Sequence, residues 1–205
     1  MKILIYFTLL FSTIAISSES PPSNIVQVKL AEDIFRIPKT YLSPNKGYRN
    51  ALIANGMIEI AVFLPDFSGY KEGRNLPTVG EYNENQVTAF WTSKGKGGSY
   101  DAQKRLDNAL KFGLVERSKN DDFIGLTAYR HTIDKGMSYI GKNSSGYKVE
   151  IACSNKIINS ICKIQYLDSR RNIGIFISFD KEHLNDWKII DEKLASLIQD
   201  WQVGK

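Results

Sequence analysis

Between residues 124 and 179, five short β-prone runs follow one another: 124–130, 137–141, 147–153, 161–167 and 173–179. Each is joined to the next by fewer than ten residues. Parallel neighbours need a crossover of a dozen or more residues, so these runs must pair antiparallel. Three more runs lie upstream. Residues 33–38 alternate polar and apolar and stop at Pro38, residues 57–64 are a more buried strand ending at Pro65, and residues 87–91 are a third.

An antiparallel sheet with one bare face needs a cover. The end of the chain supplies it. Leu184, Trp187, Ile190, Leu194, Leu197, Ile198 and Trp201 recur at three- and four-residue steps, with Asp180 as a natural N-cap. A second helix is predicted over 102–112, opened by Ser99 or Asp101 and closed by Gly113. The expected fold is therefore α+β: a mainly antiparallel sheet of six or seven strands covered by two helices.

The start of the chain has a different character. Met1 and Lys2 precede a predominantly apolar run over 3–16, with Ala15 and Ser17 at the −3 and −1 positions of a cleavage site. This is the pattern of a secretory signal peptide, 1–17, and the run falls short of the roughly 20 apolar residues that span a bilayer. Residues 18–24, with two prolines and no periodicity, read as a flexible new N-terminus, and 25–205 as one domain. The expectation is an exported, soluble, periplasmic protein with no membrane insertion.

Export gives the cysteines a meaning. Cys153 and Cys162 are the only two, and in an oxidising compartment such a pair reads as a disulfide. His131 and His183 do not flank it at ligand spacing, so no metal and no cofactor are expected. The chain carries 27 Lys+Arg against 22 Asp+Glu. Loss of Lys2 with the leader takes the net charge from +5 to +4. That excess is scattered, whereas nucleic-acid binding calls for a concentrated basic patch.

Catalytic patterns are few. There is no His-Glu-x-x-His, and the stretch from Gly97 to Asp101 lacks the second glycine of a nucleophile elbow. The turn at 94–99 has two lysines before a helix and could hold an anion. It is not a Walker A loop and reads first as a connection. Glu81, Glu84, Asp121 and Asp122 show no spacing that singles out a glycosidase pair. Asn143 opens an Asn-Ser-Ser sequon.

The most suggestive segment is the long loop from Pro65 to Gln86. It interleaves Phe67, Tyr70, Leu76 and Tyr82 with Asp66, Lys71, Glu72, Arg74 and Glu81. Loops this long are often functional, and aromatic anchors with Arg inside a polar rim are the make-up of a binding hot spot. Asp66, Phe67, Tyr70, Lys71, Arg74 and Tyr82 are the candidate partner-binding residues. The competing reading has Phe63, Phe67 and Leu76 tucking beneath the loop to pin it.

Three features together carry a family resemblance: Phe35 to Leu42 near the mature start, the Cys153/Cys162 pair on sheet strands, and the ending from Phe179 through Leu184, Trp187 and Ile190 to Trp201. The combination resembles small periplasmic proteins of Gram-negative bacteria, among them immunity proteins of type VI secretion systems. The order of elements resembles the Mog1/PsbP-like sandwich. The resemblance implies a non-enzyme that binds a toxic protein effector and occludes its active site. Two rivals remain: an envelope module holding a lipid, glycan or small ligand between sheet and helix, and a periplasmic hydrolase built around His131 or His183 with carboxylates at hydrogen-bond distance.

Overall fold

The computed structural model describes residues 24–42, 56–71, 83–93, 100–154 and 160–204. In chain order the elements are β1 (Ile25–Leu30), β2 (Asp33–Pro38), β3 (Met57–Phe63), β4 (Gln86–Ser93), α1 (Ala102–Lys111), β5 (Val115–Arg117), β6 (Thr127–His131), β7 (Met137–Lys142), β8 (Lys148–Cys153), β9 (Ile161–Asp168), β10 (Ile173–Asp180), α2 (Trp187–Trp201) and β11 (Gln202–Val203). The main sheet has eight strands in the order β3-β4-β10-β9-β8-β7-β6-β5, all neighbours antiparallel. A second sheet pairs β1, β2 and β11.

The α+β class and the antiparallel pairing agree with the sequence, but the strand count exceeds six or seven. β1 carries its own alternation, Val26, Val28 and Leu30, in a stretch where no strand was expected. β5 is three residues long and β11 two. Neither is long enough to declare a period, and both exist because a neighbouring strand is in place. The predicted strand at 124–130 begins instead at Thr127. Ile124 and Gly125 have positive φ and make the turn that lets Phe123 pair with Leu126.

The layers follow from alternation along the strands. Val87, Ala89 and Trp91 of β4, Ile173, Ile175 and Ile177 of β10, and Ile164 and Tyr166 of β9 are buried and point to one face. That face meets Val28, Leu30, Phe35 and Ile37 of the small sheet and Trp187, Ile190, Leu194, Ile198 and Trp201 of α2. The helix covers the sheet as expected, although its first turn is looser. Asp180 caps a 3-10 segment (Lys181–Asp186) by accepting from Glu182 N, and the α-helix proper begins at Trp187.

The second helix lies on the opposite face. Tyr139 belongs to the main core, whereas the adjacent Ile140 packs with Leu106 of α1 and Val115. Asp101 caps α1 by accepting from Lys104 N at 3.0 Å. Gly113, at φ +63°, ends it, with Gly113 N donating to Leu110 O and Leu114 N to Ala109 O. These two bonds form a Schellman closure.

Cys153 and Cys162 are directly opposed across β8 and β9 and are disulfide-bonded, as expected of an isolated pair in an exported chain. The bond closes a loop of sequence separation 9. The double variant Cys153→Ser/Cys162→Ser should lose about 2–3 kcal/mol of unfolding free energy on the chain-entropy account. Urea denaturation with and without reductant checks this: reductant should lower the wild-type midpoint to that of the variant and leave the variant unchanged.

Candidate functional site

The loop after β3 is only partly described. Arg74 and Tyr82 lie outside the described residues, as do Glu72, Leu76, Glu81 and the Lys94–Ser99 turn. Of the rest, Phe67 and Tyr70 serve as anchors. Phe67 is half-buried against the main core, and Tyr70 stacks edge-on against Phe63 at 5.3 Å. Tyr70 N donates to Thr40 O at 2.6 Å. At Gly69 an added Cβ would stand 2.3 Å from the same oxygen, so this close approach requires glycine. Asp66 and Lys71 are exposed and pair at 2.7 Å, and the Lys71 ammonium holds the Asp66 carboxyl well below the usual carboxylate range. Phe63 and Phe67 pack as the pinning reading has them, Leu76 lies outside the described residues, and Tyr70, which that reading left out, packs against Phe63.

Asp121 and Asp122 have their own partners. Arg130 reaches Asp121 at 2.9 Å and Arg117 reaches Asp122 at 2.6 Å. Ser118 and Arg130 hold Asp121, and Arg117 holds Asp122, below the ordinary carboxylate value. These carboxylates fix the turn before β6 and do not face one another across a cleft. Asn143 is buried, with Nδ2 donating to Asp191 Oδ2 at 2.9 Å, which leaves no room for a glycan at the sequon.

Among the described residues, the two larger concavities lie away from the loop. The first, about 270 Å³, opens between α2 and strands β9 and β10. Its wall includes Tyr147, Asp168 and Arg171, joined by bonds of 2.8 and 2.7 Å to the Asp168 carboxylate. Burial pushes Asp168 up, but Arg171 and Tyr147 outweigh it and hold the carboxyl below its usual value. Small-molecule sites generally run from about 300 to 1,000 Å³ and are mostly apolar. A carrier of lipids or glycans calls for more room and less charge than this.

The second is a groove of about 510 Å³ between α1 and the β6–β7 turn. On its floor His131 Nε2 lies 2.8 Å from Ser138 Oγ, and Ser138 Oγ lies 3.3 Å from Glu150 Oε1. Arg105 Nε donates to Glu150 at 2.7 Å, and His131 Nδ1 is 3.4 Å from Asp134. Ser138, His131 and Asp134 thus stand in the order of a nucleophile, base and orienter. The chemistry of such a relay also needs donors for an oxyanion and an approachable nucleophile. Ser138 is 3% exposed in a central strand whose backbone groups belong to the ladders with β6 and β8. Glu150 also competes for its proton. The groove has the make-up of a recognition cleft: a hydrogen-bonded floor under exposed apolar walls. Sequence reasoning reached only His131 of it, because its residues come from α1, β5, β6, β7, β8 and two turns, which chain order alone does not bring together.

No family model matches the chain, and no curated protein matches it. Among solved structures, the fold is similar to Smlt3025, an immunity protein of the Stenotrophomonas maltophilia type IV secretion system. The match has a TM-score of 0.66 and 14% identity over 88% of this chain and 94% of that one. At that identity the likeness is one of fold. No helix among the described residues is long and apolar enough to cross a membrane, and none of their His, Cys, Asp and Glu side chains cluster as a metal site.

Asp191 of α2 is an acid on the helix face turned to the sheet. It is buried, with Asn143 on Oδ2 and the Tyr166 hydroxyl close by, while Oδ1 has no well-aligned donor among the described residues. Burial pushes its carboxyl up to about 6 from the ordinary 3.8. The folded chain therefore binds this proton more readily than the unfolded one. The burial penalty is absent below about pH 4, grows between 4 and 6, and is complete above 6. Asp191→Asn, which keeps the acceptor for Asn143, should gain about 1–3 kcal/mol at pH 7.5. Chemical denaturation at several pH values checks it: the gain should shrink toward zero near pH 4.

Proposed function

We propose that this protein is an immunity-type binder: exported to the periplasm, it holds a toxic protein effector and occludes the effector's active site without doing chemistry of its own. The observation that carries the reading is the shape match to a secretion-system immunity protein over nearly the whole of both chains. The small and charged cavity beneath α2 argues against carriage at that place, and the burial of Ser138 in a laddered strand argues against catalysis there. The neighbour belongs to a type IV system. That supports an immunity role more than it supports the type VI assignment or the Mog1/PsbP likeness, and the captured effector will decide the system. In the loop after β3, the exposed Asp66–Lys71 pair is a candidate contact, together with Arg74 and Tyr82, over the anchors Phe67 and Tyr70.

The tagged chain, expressed from native cells, should recover one secreted protein in stoichiometric amount. Exported alone into a naive host, that protein should arrest growth, and co-export of this chain should restore it. Recovery of only a lipid or small molecule, or a captured protein whose toxicity the chain leaves untouched, would overturn the immunity reading.

A further inference from the structure

The turn between β7 and β8 is tied to α2 through buried side chains. Asn143 N donates to Tyr147 O at 3.0 Å and Gly146 N to Asn143 O at 2.9 Å, which closes the turn on itself. Gly146, at φ +82°, takes the left-handed conformation that this reversal needs. The Asn143 side chain then faces both ways. Its Oδ1 accepts from Tyr147 N at 2.9 Å, so Nδ2 is the end left for α2, and it donates to Asp191 Oδ2 at 2.9 Å. Asn143 is 6% exposed and Asp191 2%. A second tie, Ser144 Oγ to Glu192, lies at the surface.

The surroundings of Asp191 decide how firmly the buried tie holds. β9 presents the Tyr166 hydroxyl, which burial keeps neutral, and the β7–β8 turn presents the uncharged Asn143. Along α2, Glu192 adds a second negative charge. Trp187 Nε1, one turn earlier on the helix, has no partner among the described residues and so does not reach Oδ1. Asp168, which acts on Tyr166, is a further anion, and Arg171 pairs with it at 2.7 Å. Lys188 is exposed and lies over the Trp187 ring at 5.6 Å. Among the described residues no cation pairs with Asp191. Its ionised form therefore has Asn143 on Oδ2, Tyr166 close by and no well-aligned donor on Oδ1, where a buried charge is costly. Its protonated form is neutral and still accepts from Asn143.

The same turn walls the cavity of about 270 Å³ beside α2, since Ser145 and Tyr147 line it together with Tyr166 and Glu192. We infer that Asp191 is a proton-operated latch on this wall. With its proton it holds the 143–147 turn to α2. Without it the turn leaves the helix, water reaches the carboxylate and the cavity widens. The proton passes to solvent, and the device needs no partner protein, so it stands apart from the immunity reading.

The size and sign of the effect follow from linkage. Burial moves the carboxyl from the ordinary 3.8 to about 6 while the turn is docked, and opening returns it to its ordinary value. The gap between the two values corresponds to about a hundredfold in the docking equilibrium. Docking is firmest below about pH 4, where the acid is protonated in both states. Each pH step between about 4 and 6 favours opening about tenfold, and above about 6 the effect levels off.

Amide hydrogen exchange of the isotope-labelled chain, read by NMR between about pH 4 and 7 and corrected for intrinsic exchange, tests the latch. Protection of the Asn143, Gly146 and Tyr147 amides should fall about a hundredfold over that range and end well below that of the β10 amides. Asp191→Asn should make the protection of the turn independent of pH. Flat protection of the turn in the wild type overturns the latch. So does a turn that never exchanges faster than β10, because it then opens only with the whole domain. If Asp191→Asn fails to fold, the carbon shift of the wild-type Asp191 carboxyl decides. Its titration should coincide with the loss of turn protection and finish near pH 6, and a carboxyl that titrates near its ordinary 3.8 overturns the inference.

Discussion

Trp91 stands where three layers meet. It projects from β4 into the inner face of the main sheet, is almost fully buried, and meets Phe35 of the small sheet at 6.3 Å and Trp201 of α2 at 5.9 Å. Trp201 in turn packs on Tyr41 at 4.8 Å. One indole thus couples elements from the beginning, middle and end of the chain. Large aromatic side chains bury enough area to dominate such a junction. The docking of α2 and the order of the small sheet depend on this contact, and Gln202–Val203 can pair with β2 only once Trp201 is seated. Gln202 then ties the layers further, donating to Asp33 at 2.6 Å and accepting from Arg171 at 3.1 Å.

The two faces of the main sheet are treated differently, and that difference creates the candidate site. The inner face is closed by a sheet and a fifteen-residue helix. The outer face receives the ten-residue α1, which packs through Leu106 on Val115 and Ile140. A short helix covers part of a wide sheet, so a groove remains along its flank. Its floor is polar because β7 and β8 alternate: Ser138 and Glu150 point outward as Tyr139 and Ile151 point in. Buried polar groups need partners, and the chain of bonds from His131 through Ser138 and Glu150 to Arg105 supplies them while leaving the apolar rim in solvent.

Much of the fold was legible in local sequence. The alternation in β2, β4 and β8 to β10, the cap at Asp101 and the stripe of α2 all follow from period and capping chemistry. Asp191 was not legible as a buried acid, since a single carboxylate within an apolar stripe looks like a boundary residue until Asn143 and Tyr166 are brought against it. The candidate site was legible only in fragments. The aromatic residues of the long loop drew attention by composition, yet Phe67 and Tyr70 are half-buried because Gly69 lets the loop press against Thr40. Local sequence does not mark Phe112, Leu114 and Ile133 as neighbours, because the turns that carry them meet only in the folded chain.

Sequence by itself determined the antiparallel class, the cross-strand disulfide and the helix that closes the inner face, because each depends on residues within one or two turns or strands of one another. Short connections leave no other pairing, and a wide apolar stripe must be buried. Tertiary structure alone decided which face each helix took, the small sheet's third strand, and the groove under α1. These depend on contacts between residues far apart in the chain, where the free energy belongs to the assembled layers and to no single segment.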